Sequence, residues 1–156
     1  MREIKAPQII NTKFVERSVF LAGSIEMNKA ENWQERITKA LTDLKSVVVL
    51  NPRRDDWDSS WIQSIENPKF KQQVEWELKA MENADAVVVY FDPNTKSPIT
   101  LLELGLRAKS PGFTLVYCPE GFWRKGNVDI VCKRYGIEQV ENEKTLIERL
   151  RFYISP

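Results

Sequence analysis

The 156-residue chain contains no histidine and only two cysteines. The first absence removes Ser-His and Cys-His nucleophile pairs, histidine-containing zinc sites and imidazole acid–base chemistry together. The second leaves no disulfide framework, and Cys118 and Cys132 stand at no metal-ligand spacing. A reduced, cytoplasmic setting is the simplest expectation. No apolar run nears the ~20 residues that span a bilayer, and the start lacks the apolar segment of a signal peptide. Nor is one sign of charge in excess. Lys and Arg number 23 against 22 Asp and Glu, a formal net charge of +1. Such a surface draws in neither nucleic acid nor an anionic membrane. The adjacent pair Arg53-Arg54 is neutralised by Asp55, Asp56 and Asp58. Proton transfer must therefore fall to Asp, Glu, Tyr, Lys or Cys.

What is present suits one domain with its own core: 42% hydrophobic and 29% charged residues, with no repeat or linker to divide the chain. Apolar runs at 19–22, 47–50, 86–91, 113–117 and 137–140 predict five buried strands. Asn28, with Glu31 three residues on, predicts a capped helix bearing Ala30, Trp33, Ile37, Ala40, Leu41 and Leu44 on one stripe. Further helices are expected over 70–84, 127–135 and 143–153, and from the capping pair Ser97-Pro98 to 109. Alternating helices and continuous apolar strands predict an α/β fold. The expected form is a single doubly wound domain, flavodoxin-like or Rossmann-like, over 1–156. It would hold five parallel strands with helices on both faces, and residues 1–16 as an N-terminal extension. Ligands of such sheets bind beyond the carboxyl ends of the strands, where strand order reverses. Segments 23–27, 51–58, 92–103 and 118–127 would line that crevice. The polar stretch 53–68, long for a connection, adds to it.

Two carboxylates fall in awkward places. On the helix from Phe70, Glu77 lies among Phe70, Val74 and Met81, where a surface helix would carry leucine. It is either ion-paired with a lysine or a partly buried carboxylate facing the crevice. On the next helix Ile99, Leu102 and Leu106 form the expected inward stripe, with Glu103 at its edge. Glu103 either pairs with Arg107 four residues on, worth about 0.2–0.5 kcal/mol, or is a half-desolvated nucleophile. Two carboxylates converging on one crevice suit glycosyl chemistry, in which one captures the oxocarbenium-like sugar and the other assists the leaving group.

Phe20-Leu21-Ala22-Gly23-Ser24, Asp85 and above all Ser97-Pro98-Ile99-Thr100-Leu101-Leu102-Glu103-Leu104-Gly105 resemble the nucleoside 2-deoxyribosyltransferase-like family. The stretches 51–57 and 121–128 resemble a subgroup of it, and the likeness runs over about 19–136. The resemblance implies that Glu103 is the nucleophile attacking the anomeric carbon, and that Glu77 lies near the sugar hydroxyls or leaving base. It implies that Phe20 stands where the family often has tyrosine, and that Asn127 is lent to a neighbouring subunit's site. A homo-oligomer with sites near subunit interfaces, and no cofactor or metal, are implied too. Many family transferases carry aspartate six residues before the nucleophile. Ser97 there resembles instead the sister 2′-deoxynucleoside 5′-monophosphate N-glycosidases, in which serine touches phosphate. Gly23-Ser24-Ile25 resembles their phosphate loop, yet Glu26 follows where they place arginine.

The expected substrate-binding set is thus Phe20, Gly23, Ser24, Asn51, Arg53, Asp55, Trp57, Asp92, Ser97 and Asn127, around catalytic Glu103 and Glu77. Arg53 and Arg54 could hold phosphate, and Trp57, Trp61 and Trp123 could stack on a base. Ser97 could equally be a simple helix cap. Three functions stay open: transfer of deoxyribose between nucleobases, hydrolysis of deoxynucleoside monophosphates, and a non-catalytic nucleotide-binding module.

Overall fold

The computed structural model describes residues 1–13, 15–26 and 30–155. In chain order the elements are β1 (Arg2–Lys5), β2 (Arg17–Gly23), α1 (Trp33–Ala40), β3 (Val47–Asn51), α2 (Pro68–Asn83) and β4 (Ala86–Tyr90). Then follow α3 (Pro98–Ala108), β5 (Phe113–Tyr117), α4 (Lys125–Tyr135), β6 (Glu138–Val140) and α5 (Glu143–Ile154). The strands form one parallel sheet in the order β1-β3-β2-β4-β5-β6. This is the doubly wound α/β fold, with six strands among the described residues where five are expected from the sequence. The added strand is β1, paired with β3 from Arg2↔Val48 to Lys5↔Asn51. Only Ile4 of β1 is buried, since an edge strand leaves its other positions to solvent and shows no apolar run.

The interior strands β3 and β4 are buried at every position, as parallel strands covered on both faces must be. One face carries Phe20, Ala22, Val87 and Val89 beneath Trp76 and Ala80 of α2, Leu104 of α3 and Val128 of α4. The other carries Val19, Leu21, Val49 and Val88 beneath Trp33 and Ile37 of α1 and Leu146, Leu150 and Ile154 of α5. Strand order reverses between β2 and β4, so the switch point lies at Gly23-Ser24 and Tyr90–Asp92.

Several local expectations change. Asn28, the expected helix cap, lies outside the described residues, and α1 is capped by Asn32, whose Oδ1 accepts from the Glu35 N–H at 3.3 Å. The buried stripe of α2 is Gln73, Trp76, Ala80 and Met81, with Val74 turned out. Most consequential is α3. Its expected inward residues Ile99, Leu102 and Leu106 are 60%, 59% and 47% exposed, while Thr100, Glu103, Leu104 and Arg107 face the sheet. Leucines occur all round this helix, so periodicity alone selected the wrong side. Corrected, the phase moves Glu103 from the edge of the buried stripe to its centre.

Gly23 ends β2 where only a hydrogen fits. A Cβ there would stand 2.4 Å from the Tyr90 carbonyl oxygen and 2.6 Å from the Trp33 ring. That ring stacks on Tyr90 at 4.5 Å and cannot retreat. Gly23→Ala is therefore expected to destabilise the fold by about 2–3 kcal/mol, read as a lower urea midpoint at unchanged m-value.

Candidate active site

α2 and α3 lie on the same face of the sheet and run antiparallel to the strands. Glu77 stands six residues before the end of α2 and Glu103 five before the end of α3, so their heights agree within roughly 2 Å at 1.5 Å per residue. Burial pushes Glu103 up to about 8, and the neighbouring Glu77 charge adds to it. Burial likewise pushes Glu77 up to about 7, against the opposing hydrogen bond from Gln73. Burial thus raises the proton affinity of both carboxyls, and the Glu77 charge raises that of Glu103 further.

Their supports differ. Glu77 Oε1 accepts from Gln73 Nε2 at 2.8 Å, and the same amide donates to the Pro52 carbonyl at 2.8 Å. Gln73 ties the acid to the chain leaving β3. The i, i+4 spacing of 73 and 77 is a signal that the sequence offered and that spacing arguments centred on apolar residues overlook. No ion pair joins Glu77 to a lysine among the described residues. Glu103 is only 8% exposed, yet no hydrogen bond reaches its carboxylate among the described residues. Arg107, its possible partner by spacing, is committed elsewhere. It donates to Thr114 Oγ1 at 3.0 Å and to the Met81 and Phe113 carbonyls at 3.4 Å. The i, i+4 ion pair therefore does not form.

A second cluster closes the switch point. Ser24 Oγ accepts from the Asp92 N–H at 2.9 Å, and the Ser24 N–H donates to the Tyr90 carbonyl at 2.9 Å. Thr95 Oγ1 stands 3.0 Å from Ser24 Oγ and 2.7 Å from Ser97 Oγ, and the two serine hydroxyls bond to each other. All three are buried. Ser97 occupies the N-cap position of α3 with left-handed backbone (φ 46°), but its hydroxyl caps nothing. The simple-cap expectation therefore fails: the hydroxyl belongs to this cluster, and the Ser97 N–H donates to Glu26 Oε1. Thr95 is the member that no spacing signals, while Glu26, expected in the loop after Ser24, is brought onto the Ser97 N–H.

The other expected residues scatter. Phe20 is wholly buried, edge-on to Trp76 beneath the site. Asn51 is spanned between Glu3 Oε1, to which it donates at 2.7 Å, and the Arg53 N–H. Arg53 donates to Gln34 Oε1 at 2.9 Å and to the Glu31 carbonyl. Asp92 Oδ1 accepts from the Asn94 N–H, and its Oδ2 from the Glu31 N–H. Asp55 is exposed beside Lys5, and Trp57 leans on Trp61 with ring centres 5.0 Å apart. Asn127 is exposed in the first turn of α4. Arg54 grips Asp56 through two bonds of 2.9 Å and lies over Trp61, so it is engaged locally. Cys118 and Cys132 are buried free thiols. Among the described residues no three His, Cys, Asp or Glu side chains are grouped to hold a metal.

Two neighbouring carboxylates on helices that cover one face of a doubly wound parallel sheet place this chain among α/β domains with an acidic candidate site. It belongs to the nucleoside 2-deoxyribosyltransferase-like family, whose model matches residues 16–122. A conserved protein from Enterococcus faecalis V583 is similar in fold, with a TM-score of 0.64 over 88% of this chain and 98% of that one at 12% identity. No curated protein matches the chain by sequence.

Proposed function

We propose that the protein is an enzyme that cleaves the N-glycosidic bond of 2′-deoxynucleosides and passes the deoxyribosyl group to another nucleobase or to water. The observation that carries this reading is the Glu103 carboxylate, buried and unbonded on α3, with Glu77 close enough to raise its proton affinity. Burial and the Glu77 charge hold the Glu103 carboxyl protonated at neutral pH, so the nucleophile forms when that proton passes to Glu77 as substrate fills the site. Glu103 attacks the anomeric carbon as the bond to the base breaks, and that electron pair leaves on the base nitrogen. Glu77, carrying the shared proton, hands it to the departing base. Attack by the incoming base or water on the same carbon frees Glu103, and the incoming group's proton returns to Glu77. The reaction draws only on protein carboxylates.

Gly23, Ser24 and Asp92 lie at the reversal of strand order, and Phe20 is buried against Trp76 of α2. Asp55, Trp57 and Asn127, all exposed, are the residues left to hold substrate, while Asn51, Arg53 and Ser97 are held by their own hydrogen bonds. The buried thiols suit a cytoplasmic setting. No helix among the described residues is long and apolar enough to cross a membrane.

The decisive experiment offers a deoxynucleoside together with a second free base, and in parallel a deoxynucleoside 5′-monophosphate. Exchange of base supports the transfer reading, and release of base from the monophosphate alone would point to a hydrolase. If no base is released from either and Glu103→Gln leaves ligand binding untouched, the chain is a binding module and the proposal fails.

A homo-oligomer is part of the same proposal, supported by the apolar residues Ile99, Leu102 and Leu106 exposed on α3. A helix apolar on both sides calls for a second cover. Leu102→Glu is expected to shift the protein to monomer in sedimentation with the fold intact. An unchanged assembly would remove α3 from the interface.

A further inference from the structure

Among the described residues Gln73 is the only side chain that hydrogen-bonds to either acid. It is buried, and its amide nitrogen has two hydrogens to give. One goes to the Pro52 carbonyl and the other to Glu77 Oε1, each at 2.8 Å. The amide oxygen is buried too and meets no donor. Only one orientation is open to such a group. Turned over, the amide would set its oxygen 2.8 Å from the Pro52 carbonyl oxygen, two acceptors face to face. The Pro52 carbonyl can only accept, so it keeps the N–H side of Gln73 toward Glu77 whether that acid is charged or neutral.

Glu77 Oε1 is therefore an acceptor at all times, and the proton of neutral Glu77 sits on Oε2. The bond to Oε1 is also stronger when Glu77 is charged, because a carboxylate accepts better than a carboxylic acid. Gln73 thus opposes the burial that pushes Glu77 up to about 7, whereas Glu103, pushed up to about 8, has no such donor. Other charges packed against α2 are engaged elsewhere. Arg107 of α3 is bound at the Met81 carbonyl, four residues beyond Glu77, and Arg54 after β3 is held by Asp56 and Gln72. The sheet beneath α2 presents apolar Phe20, Ala22, Val87 and Val89, which leaves Glu103 as the charge facing Glu77. The inference rests on the proposed function, in which the Glu103 proton passes to Glu77. We propose that Gln73 is a positioning residue that keeps Glu77 ionised to receive this proton and directs it to Oε2. The hydrogen leaves the Glu103 carboxyl as Oε2 takes it, so Glu103 gains the charge that Glu77 loses. Oε2 then yields the same proton to the departing base nitrogen. Gln73 acts through Glu77 alone.

The test reads Glu77 directly and needs no substrate. Glutamate carboxyls labelled with carbon-13 are titrated by NMR, and spectra of Glu77→Gln and Glu103→Gln assign the two signals. In native protein Glu77 should lose its proton at lower pH than Glu103. Gln73→Met fills the space without a donor and should raise the Glu77 midpoint by about one pH unit. Gln73→Lys keeps donors beside the acid and should lower it by about as much. A general loosening of structure would not give opposite signs. The acid limb of kcat/KM against pH for base exchange should move in the same two directions, with Gln73→Met about tenfold slower at pH 6. If Gln73→Met does not fold, the downward shift in Gln73→Lys decides. A Glu77 midpoint unmoved in the folded variants, or a native order with Glu103 first, would overturn the role of Gln73. Shifted midpoints with no base released from any deoxynucleoside would sink the catalytic reading and leave the Glu77 proton on Oε2. Base exchange with midpoints and acid limb both unmoved would do the reverse.

Discussion

Glu103→Gln is expected to abolish base exchange, lowering kcat by roughly a thousandfold or more, while substrate still binds within a few-fold of the native affinity. Gln matches the carboxylate in shape but has no charge with which to capture the anomeric carbon. Binding should survive because no protein donor engages the Glu103 oxygens, so the substitution strips nothing of its partner. Pre-steady-state mixing with a chromogenic deoxynucleoside separates the two quantities. Residual activity within tenfold of native would mean that the nucleophile is some other group. Glu77→Gln should behave differently, with loss of the rate limb that depends on the shared proton and flattening of the pH profile near neutrality.

The same substitution carries a second, larger signature that owes nothing to substrate. In the folded chain the Glu103 carboxyl is pushed up to about 8 from an ordinary value of 4.5, by burial first and by Glu77 second. The folded state therefore keeps a proton that the unfolded chain releases, and bound protons are more numerous in the fold between those values. Stability then falls as pH rises from about 4.5, and the full cost is present above about 8. Glu103→Gln removes that cost. It should leave stability nearly unchanged at pH 5 and raise it by a few kcal/mol at pH 9, a gain in Tm of about 5–10 °C for a domain of this size. Paired carboxylates elsewhere, such as Glu16 with Arg2 and Asp43 with Arg151, lie below the usual range and lose their contribution at acid pH. They are common to both proteins and cancel in the comparison. Equal melting temperatures at pH 9 would show that the Glu103 carboxylate is better solvated than its burial implies.

Much of the sheet was legible because a strand buried on both faces must be apolar throughout, and 47–50, 86–91 and 113–117 read that way. β1 was not, because Arg2, Glu3 and Lys5 flank a single buried isoleucine at the sheet's edge. The two acids stood out as charges among apolar neighbours. Their setting did not, since helix phase is ambiguous when leucine lies on every side, as on α3. The hydroxyl cluster of Ser24, Thr95 and Ser97 brings together residues 71 to 73 apart in the chain with no spacing to announce it. The Glu26 contact with Ser97 is equally nonlocal. Only tertiary folding creates such neighbours.

α3 is fastened at both ends. Near its start the Ser97 hydroxyl is knotted to Ser24 just after β2 and to Thr95 in the loop after β4, and near its finish Arg107 is bolted to α2 and β5 by three bonds. A rod held at two points resists sliding and rolling, which fixes the backbone of residue 103 against the sheet. Under the proposed mechanism, the placement of the attacking group is then built in when the chain folds, ahead of any ligand.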